Sequence, residues 1–142
     1  MIGHQQLGSL LVAASSAIVL LLGSLHLVYT FFGSKLRPRD PDLEARMKVT
    51  HPGITRQTTM WKTWIGFNAS HSLGGILFGL LYGYLALAQP ALLFRSAFLA
   101  LVGGAFLLSF VALGKAYWFS TPFRGLVLAS LLYGAGFAAA LA

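Results

Sequence analysis

Between Lys62 and Arg95 the chain carries no charged residue. This stretch, TWIGFNASHSLGGILFGLLYGYLALAQPALLF, limits the possible folds more than any other. The run is long and apolar enough to span a bilayer as a helix. At about 1.5 Å per residue, the part from Met60 to Ala88 is longer than the about 30 Å hydrocarbon core of a bilayer.

The pattern recurs. No charged residue precedes Lys35, none lies between Arg95 and Lys115, and none follows Arg124. Expected spans run over about 7–32, 60–88, 91–114 and 123–141. Hydrophobic residues make up 57% of the chain and charged residues only 9%. A soluble domain carries about 25% charged residues and would have nowhere to put this much apolar surface. The expected fold class is an all-α integral membrane protein, a single domain over 1–142 forming a four-transmembrane-helix antiparallel bundle. The start of the chain is read as a retained first span: no Lys or Arg precedes its apolar run, which is about twice the length of a signal-peptide core.

One long hydrophilic segment, the 34–59 loop, separates the first two spans. It holds all three acids, Asp40, Asp42 and Glu44. Asp40 can cap a helix, Pro41 suits the first helical position, and the acids favour the positive N-terminal end. A short interfacial helix is therefore expected over Pro41–Val49, with Leu43 and Met47 as its apolar stripe. His51-Pro52-Gly53 ends it. Tyr117, Trp118 and Phe119 in the 115–122 loop read as an interfacial aromatic belt.

Four spans place the 34–59 and 115–122 loops on one face. That face carries nine cations, Lys35, Arg37, Arg39, Arg46, Lys48, Arg56, Lys62, Lys115 and Arg124, and the other face carries Arg95 alone. Such asymmetry marks the cytoplasmic side. The expectation is a bacterial cytoplasmic (inner) membrane, the 34–59 loop cytoplasmic and both termini outside. The net charge is +7, and seven of the ten basic residues fall between Lys35 and Lys62, where anionic lipid headgroups are the expected partner rather than nucleic acid. With no cysteine, thiol catalysis, cysteine-ligated metals and disulfides are excluded.

The polar residues inside the spans carry the functional reading. Trp64, Asn68, His71 and Gly75 are spaced four, three and four apart, on one helical face. A polar face is costly in lipid and should turn inward. His71 lies roughly 15 Å, and His26 of the first span roughly 10 Å, from the cytoplasmic edge at the helical rise per residue. Tyr29 and Thr30 follow His26 by three and four residues. HLVYT and GFNASHS are thus expected to meet in one cytoplasm-facing pocket.

Three readings of that pocket compete. His26 and His71 can ligate a b-type haem across a planar gap; a closed zinc site lacks ligands. Alternatively, His26, Tyr29, Thr30, Trp64, Asn68 and His71 hold the polar end of a lipid-like molecule. A histidine can then move a proton, with Tyr29, Asn68 and Ser70 donating to developing charge, so an enzyme acting on a membrane-dissolved substrate is conceivable. In the third, these side chains only fasten helices, by about 0.6 kcal/mol per hydrogen bond.

Gly75, Gly79 and Gly83 repeat every four residues and suit close helix packing, inside the bundle or across a homo-oligomer face. Ser130, Gly134 and Ala138 share that spacing, as do Ala100 and Gly104, although with 16 glycines such spacings also arise by chance. There is no Walker loop, G-x-S-x-G or H-E-x-x-H, and no acid inside a span. Two functions of different class remain: a membrane protein that binds, and conceivably acts on, a lipid-like molecule or cofactor, and a non-catalytic accessory subunit of a larger membrane complex.

Overall fold

The structure, a computed structural model, describes residues 3–142. Six α-helices follow in order: α1 (His4–Phe31), α2 (Pro41–Val49), α3 (Met60–Ala88), α4 (Pro90–Arg95), α5 (Ala97–Tyr117) and α6 (Ser120–Leu141). Among the described residues there is no strand. Helices α1, α3, α5 and α6 are long and apolar enough to cross a membrane, which supports a membrane class. The chain groups into two compact units, one from the residues up to Leu22 with Gly75–Ala142, the other from Gly23–Gly74.

In the first unit, α1 and α6 meet in opposite sequence order. A Cβ added to Gly8 would lie 2.6 Å from the Gly136 carbonyl oxygen, and one added to Gly125 would lie 2.9 Å from Leu22. Between these contacts the buried Ser15 hydroxyl donates to the Ala129 carbonyl at 2.7 Å. Gly79 of α3 is equally tight: its added Cβ would lie 2.6 Å from Leu20 Cβ and 2.8 Å from the Ser16 carbonyl oxygen. Gly83 is looser, with Ser16 Cβ at 3.6 Å, and Gly75 is buried. Gly104 and Gly134, on the other small-residue spacings, have nothing within 4 Å.

An aromatic column fills this unit. Phe78 stacks on Tyr82 and Phe106 at 4.6 and 4.7 Å between ring centroids, and Tyr133 joins Tyr82 to Phe137. The phenols are satisfied by backbone: Tyr82 donates to Leu99 O at 2.7 Å and Tyr133 to Ala100 O at 3.0 Å. Gly103 makes this possible, since any side chain there would collide with the Tyr133 hydroxyl and the Tyr82 ring.

Three boundaries differ from the sequence expectation. The span expected over 91–114 is divided: α4 stops at Arg95, and Ser96 adopts extended backbone and accepts from Leu99 N to cap α5. A serine hydroxyl competes with the helical ladder in this way when the backbone turns. The expected 115–122 loop shrinks to Trp118 and Phe119, because α5 continues to Tyr117 and Pro122 sits inside the first turn of α6, where its missing N–H costs nothing. The aromatic belt is correspondingly split: Tyr117 and Phe119 are exposed, while Trp118 packs against Phe110 and the core. Helix α1 also begins earlier than expected, at His4.

In the second unit, α1 ends at Phe31, with Phe32 N donating to Val28 O and Gly33 at φ +81°. Glycine is suited to this left-handed turn, which closes many helices. It redirects the chain into a turn in which Arg37 N donates to Ser34 O at 3.1 Å. Helix α2 then starts as its residues dictate: the Asp40 side chain accepts from Asp42 N at 2.9 Å, and Pro41 occupies the first turn. Beyond α2 the connection folds on itself. His51 Nδ1 lies 2.6 Å from Thr58 O, so Nδ1 carries the donated proton, and Met60 N donates to Thr50 O at 2.8 Å.

Candidate functional site

The second unit brings three of the sequence candidates together. Asn68 Nδ2 donates to Trp64 O at 2.8 Å, one turn back on α3. That bond orients the amide and turns Oδ1 toward α1, where it lies 2.9 Å from His26 Nε2. An amide oxygen only accepts, so Nε2 of His26 carries the proton. The His71 ring meets His26 edge-on, with centroids 5.3 Å apart and planes at 72°. Thr30, 6% exposed, donates from Oγ1 to His26 O at 2.8 Å, and Ser72 Oγ donates to Asn68 O at 2.8 Å.

This network reaches the hydrophilic loop through Trp64. Its indole Nε1 donates to Leu36 O at 3.0 Å, although the ring is 42% exposed. The hydrogen bonds therefore run from Leu36 O through Trp64, Asn68 and His26 to Thr30. Ser70 stands apart, exposed and bonded to Phe67 O of its own helix.

Beside the network lies a cavity of about 220 Å³. Tyr29, Thr30 and Phe31 of α1 form one wall, and Trp61 and Ile65 of α3 another. Leu36 and Arg37, carried back by the turn after Gly33, complete it. Of the sequence candidates, Tyr29 and Thr30 line the cavity. Trp64 holds its Leu36 edge from outside, and His26, Asn68 and His71 form the polar cluster behind Thr30. Trp61 and Arg37 were not singled out from the sequence. Trp61 precedes Trp64 by three residues, a spacing that flags a shared helix face.

Charge is concentrated at the rim. Lys35 Nζ stands 4.0 Å from the centroid of the Tyr29 ring, and Lys48 Nζ stands 5.5 Å from that of Trp61. Glu44 accepts from Lys48 Nζ at 2.6 Å and faces Arg37 Nη1 at 3.7 Å. The Lys48 hydrogen bond, against an upward push from burial and with help from the Lys48 and Arg37 charges, holds Glu44 below the ordinary carboxylate range.

In this arrangement His26 Nε2 is engaged by Asn68, and the edge of one histidine ring meets the other. Among the described residues no group of three or more His, Asp or Glu could hold a metal ion. No family model, curated protein or solved structure matches the chain.

Proposed function

We propose that this chain is an integral membrane protein that binds the polar end of a lipid-like molecule at the cytoplasmic edge of the bilayer. In this reading the four long helices cross the membrane in alternating directions as an antiparallel bundle. Both termini lie outside, and the 34–59 loop is cytoplasmic. The basic loop rests on anionic lipid headgroups. The host membrane is a bacterial inner membrane.

One observation carries the binding reading: a hydrogen-bonded chain from Leu36 to Thr30 braces the wall of a cavity that is both aromatic and cationic. Its volume, about 220 Å³, is below the roughly 300–1,000 Å³ of pockets that enclose a whole drug-sized ligand. A polar head seated there with its apolar tail left in the bilayer matches that size. His26, Asn68 and His71 act as a preorganised polar support behind the wall. Tyr29 offers its hydroxyl to the ligand, Thr30, whose own proton goes to His26 O, ties the wall to the polar support, and Trp64 fixes the loop edge.

The test is native mass spectrometry of protein extracted gently from its own membrane. The wild type should retain a stoichiometric amphiphile. Asn68→Leu, which breaks the bonds to both His26 and Trp64, should lose it, while Asn68→Gln should retain part of it. Equal retention in all three would contradict the reading.

A second reading, a non-catalytic subunit of a larger membrane complex or a homo-oligomer, draws on the open space at Gly104 and Gly134. Small residues without neighbours allow another helix to approach closely. Under this reading Gly134→Leu releases the chain from its partner and Asn68→Leu does not.

A further inference from the structure

We infer that the cavity takes a phosphate-bearing anionic headgroup, with Arg37 as its principal ligand and Glu44 as a built-in competitor. This inference rests on the amphiphile reading above and adds the charge and chemistry of the head.

Arg37 lines the cavity, and Lys35 stands over the Tyr29 ring on the same wall. Lys48 approaches from the Trp61 side. One cation therefore lines a space too small for a whole lipid, two more stand against the rings of its lining residues, and one acid, Glu44, accompanies them. Glu44 is already committed to Lys48 at 2.6 Å. Its oxygen is 3.7 Å from Arg37 Nη1, a separation that leaves charge attraction but no hydrogen bond. The Arg37 guanidinium keeps its forked donors for an incoming anion, and its planar fork matches phosphate oxygens two at a time. The Lys35 ammonium, held by the Tyr29 face, adds a second positive charge. Tyr29 and Trp61 present flat, amphipathic surfaces to the glycerol-like part that follows a phosphate.

Glu44 gives the inference a sign that simple charge attraction to a basic loop lacks. In the unliganded protein its carboxylate partly neutralises Arg37 and Lys48. A bound phosphate must share those cations with it. Removing the Glu44 charge should therefore tighten binding, whereas removing the Arg37 charge should weaken it.

The experiment uses the full chain in phosphatidylcholine nanodiscs, titrated with phosphatidylglycerol and, separately, with inorganic phosphate. Bound lipid is counted by native mass spectrometry. One phosphatidylglycerol per chain is expected, with affinity about tenfold lower or worse in Arg37→Gln and about threefold higher in Glu44→Gln at low salt. A variant that merely unfolds the loop would weaken binding in both cases, so the opposite signs separate ligation from structural damage. Inorganic phosphate binding with the same Arg37 dependence and no selective lipid uptake would overturn the lipid assignment in favour of a free phosphate site. Retention of phosphatidylcholine, unaffected by either substitution, would overturn the anionic headgroup and leave the amphiphile reading standing. No retained lipid of either kind would overturn both.

Discussion

Asn68 is the residue on which the second unit turns. A lone asparagine in an apolar helix is costly unless all its groups are partnered, and here the backbone of its own helix fixes one end of the amide while His26 takes the other. In lipid such a bond contributes about 0.6 kcal/mol on average, so its role is to set orientation more than to hold the fold. Asn68→Leu should cost about 1 kcal/mol of stability in a reversible unfolding assay; a loss several times larger would show that Asn68 is mainly a fold determinant. Glycines offer a sharper contrast. A Cβ at Gly136 would lie 2.7 Å from Val12 Cγ2 and 2.9 Å from the Gly8 carbonyl oxygen, whereas one at Gly134 meets nothing within 4 Å. Gly136→Ala should destabilise by about 1–3 kcal/mol through overpacking, and Gly134→Ala should be neutral or stabilise by up to about 1 kcal/mol through helix propensity. Thermal unfolding of the two variants in the same detergent checks both signs. Equal effects would mean that α6 does not meet α1 through Gly136.

At the scale of elements, α2 and the turn before it couple the loop to the cavity. Glu44 is held below the ordinary carboxylate value of 4.5, first by the Lys48 hydrogen bond. A depressed carboxylate stabilises above its unfolded value, and that contribution is lost as pH falls through its folded one. Acidifying below 4.5 should therefore loosen α2 and free Arg37, and amide hydrogen exchange in Pro41–Val49 should rise. In Glu44→Gln the rise should be absent; an identical rise in both would show that Glu44 does not hold this helix. The start of α2 was legible because its signals are local: a capping acid, then proline, then acids. The bounds of α3 were legible because the stretch from Met60 to Ala88 is apolar enough to span and Gln89-Pro90 closes it. The break at Ser96 was not, since a serine in an apolar run looks like any other polar interruption until its hydroxyl is seen capping Leu99 N. The early start of α6 was hidden for a similar reason, as Pro122 serves a first turn as readily as a loop. In the site, the approach of His26 to His71 was expected from depth and helical spacing, whereas the choice of Asn68 as the partner of His26 Nε2 was not. Nor was the cavity, because its Leu36 and Arg37 edge depends on a reversal at Gly33 that no periodicity encodes.

At the scale of the whole molecule, the proposed function rests on how apolar length and charge are distributed. Four helices long enough to cross a membrane carry almost no charge, and the cations gather beside α2 and the starts of α3 and α6. The absence of cysteine makes the proposed orientation simple to check. Single cysteines at Thr55 and at Ala142 should react with membrane-impermeant maleimide from opposite sides of sealed vesicles, and reaction from the same side would contradict the four-span arrangement. The central claim, that a lipid-like molecule seats its head between α1, α3 and the turn after Gly33, is tested most directly by photocrosslinking. The full chain in its native membrane would be exposed to a phosphatidylglycerol analogue with a diazirine next to the headgroup, and the crosslinked peptides mapped. The account predicts crosslinks concentrated on Tyr29–Arg37 and Trp61–Ile65, and their loss in Asn68→Leu. Crosslinks spread evenly over exposed apolar faces such as Leu101–Leu108 and Leu128–Leu131, unchanged by that substitution, would contradict it.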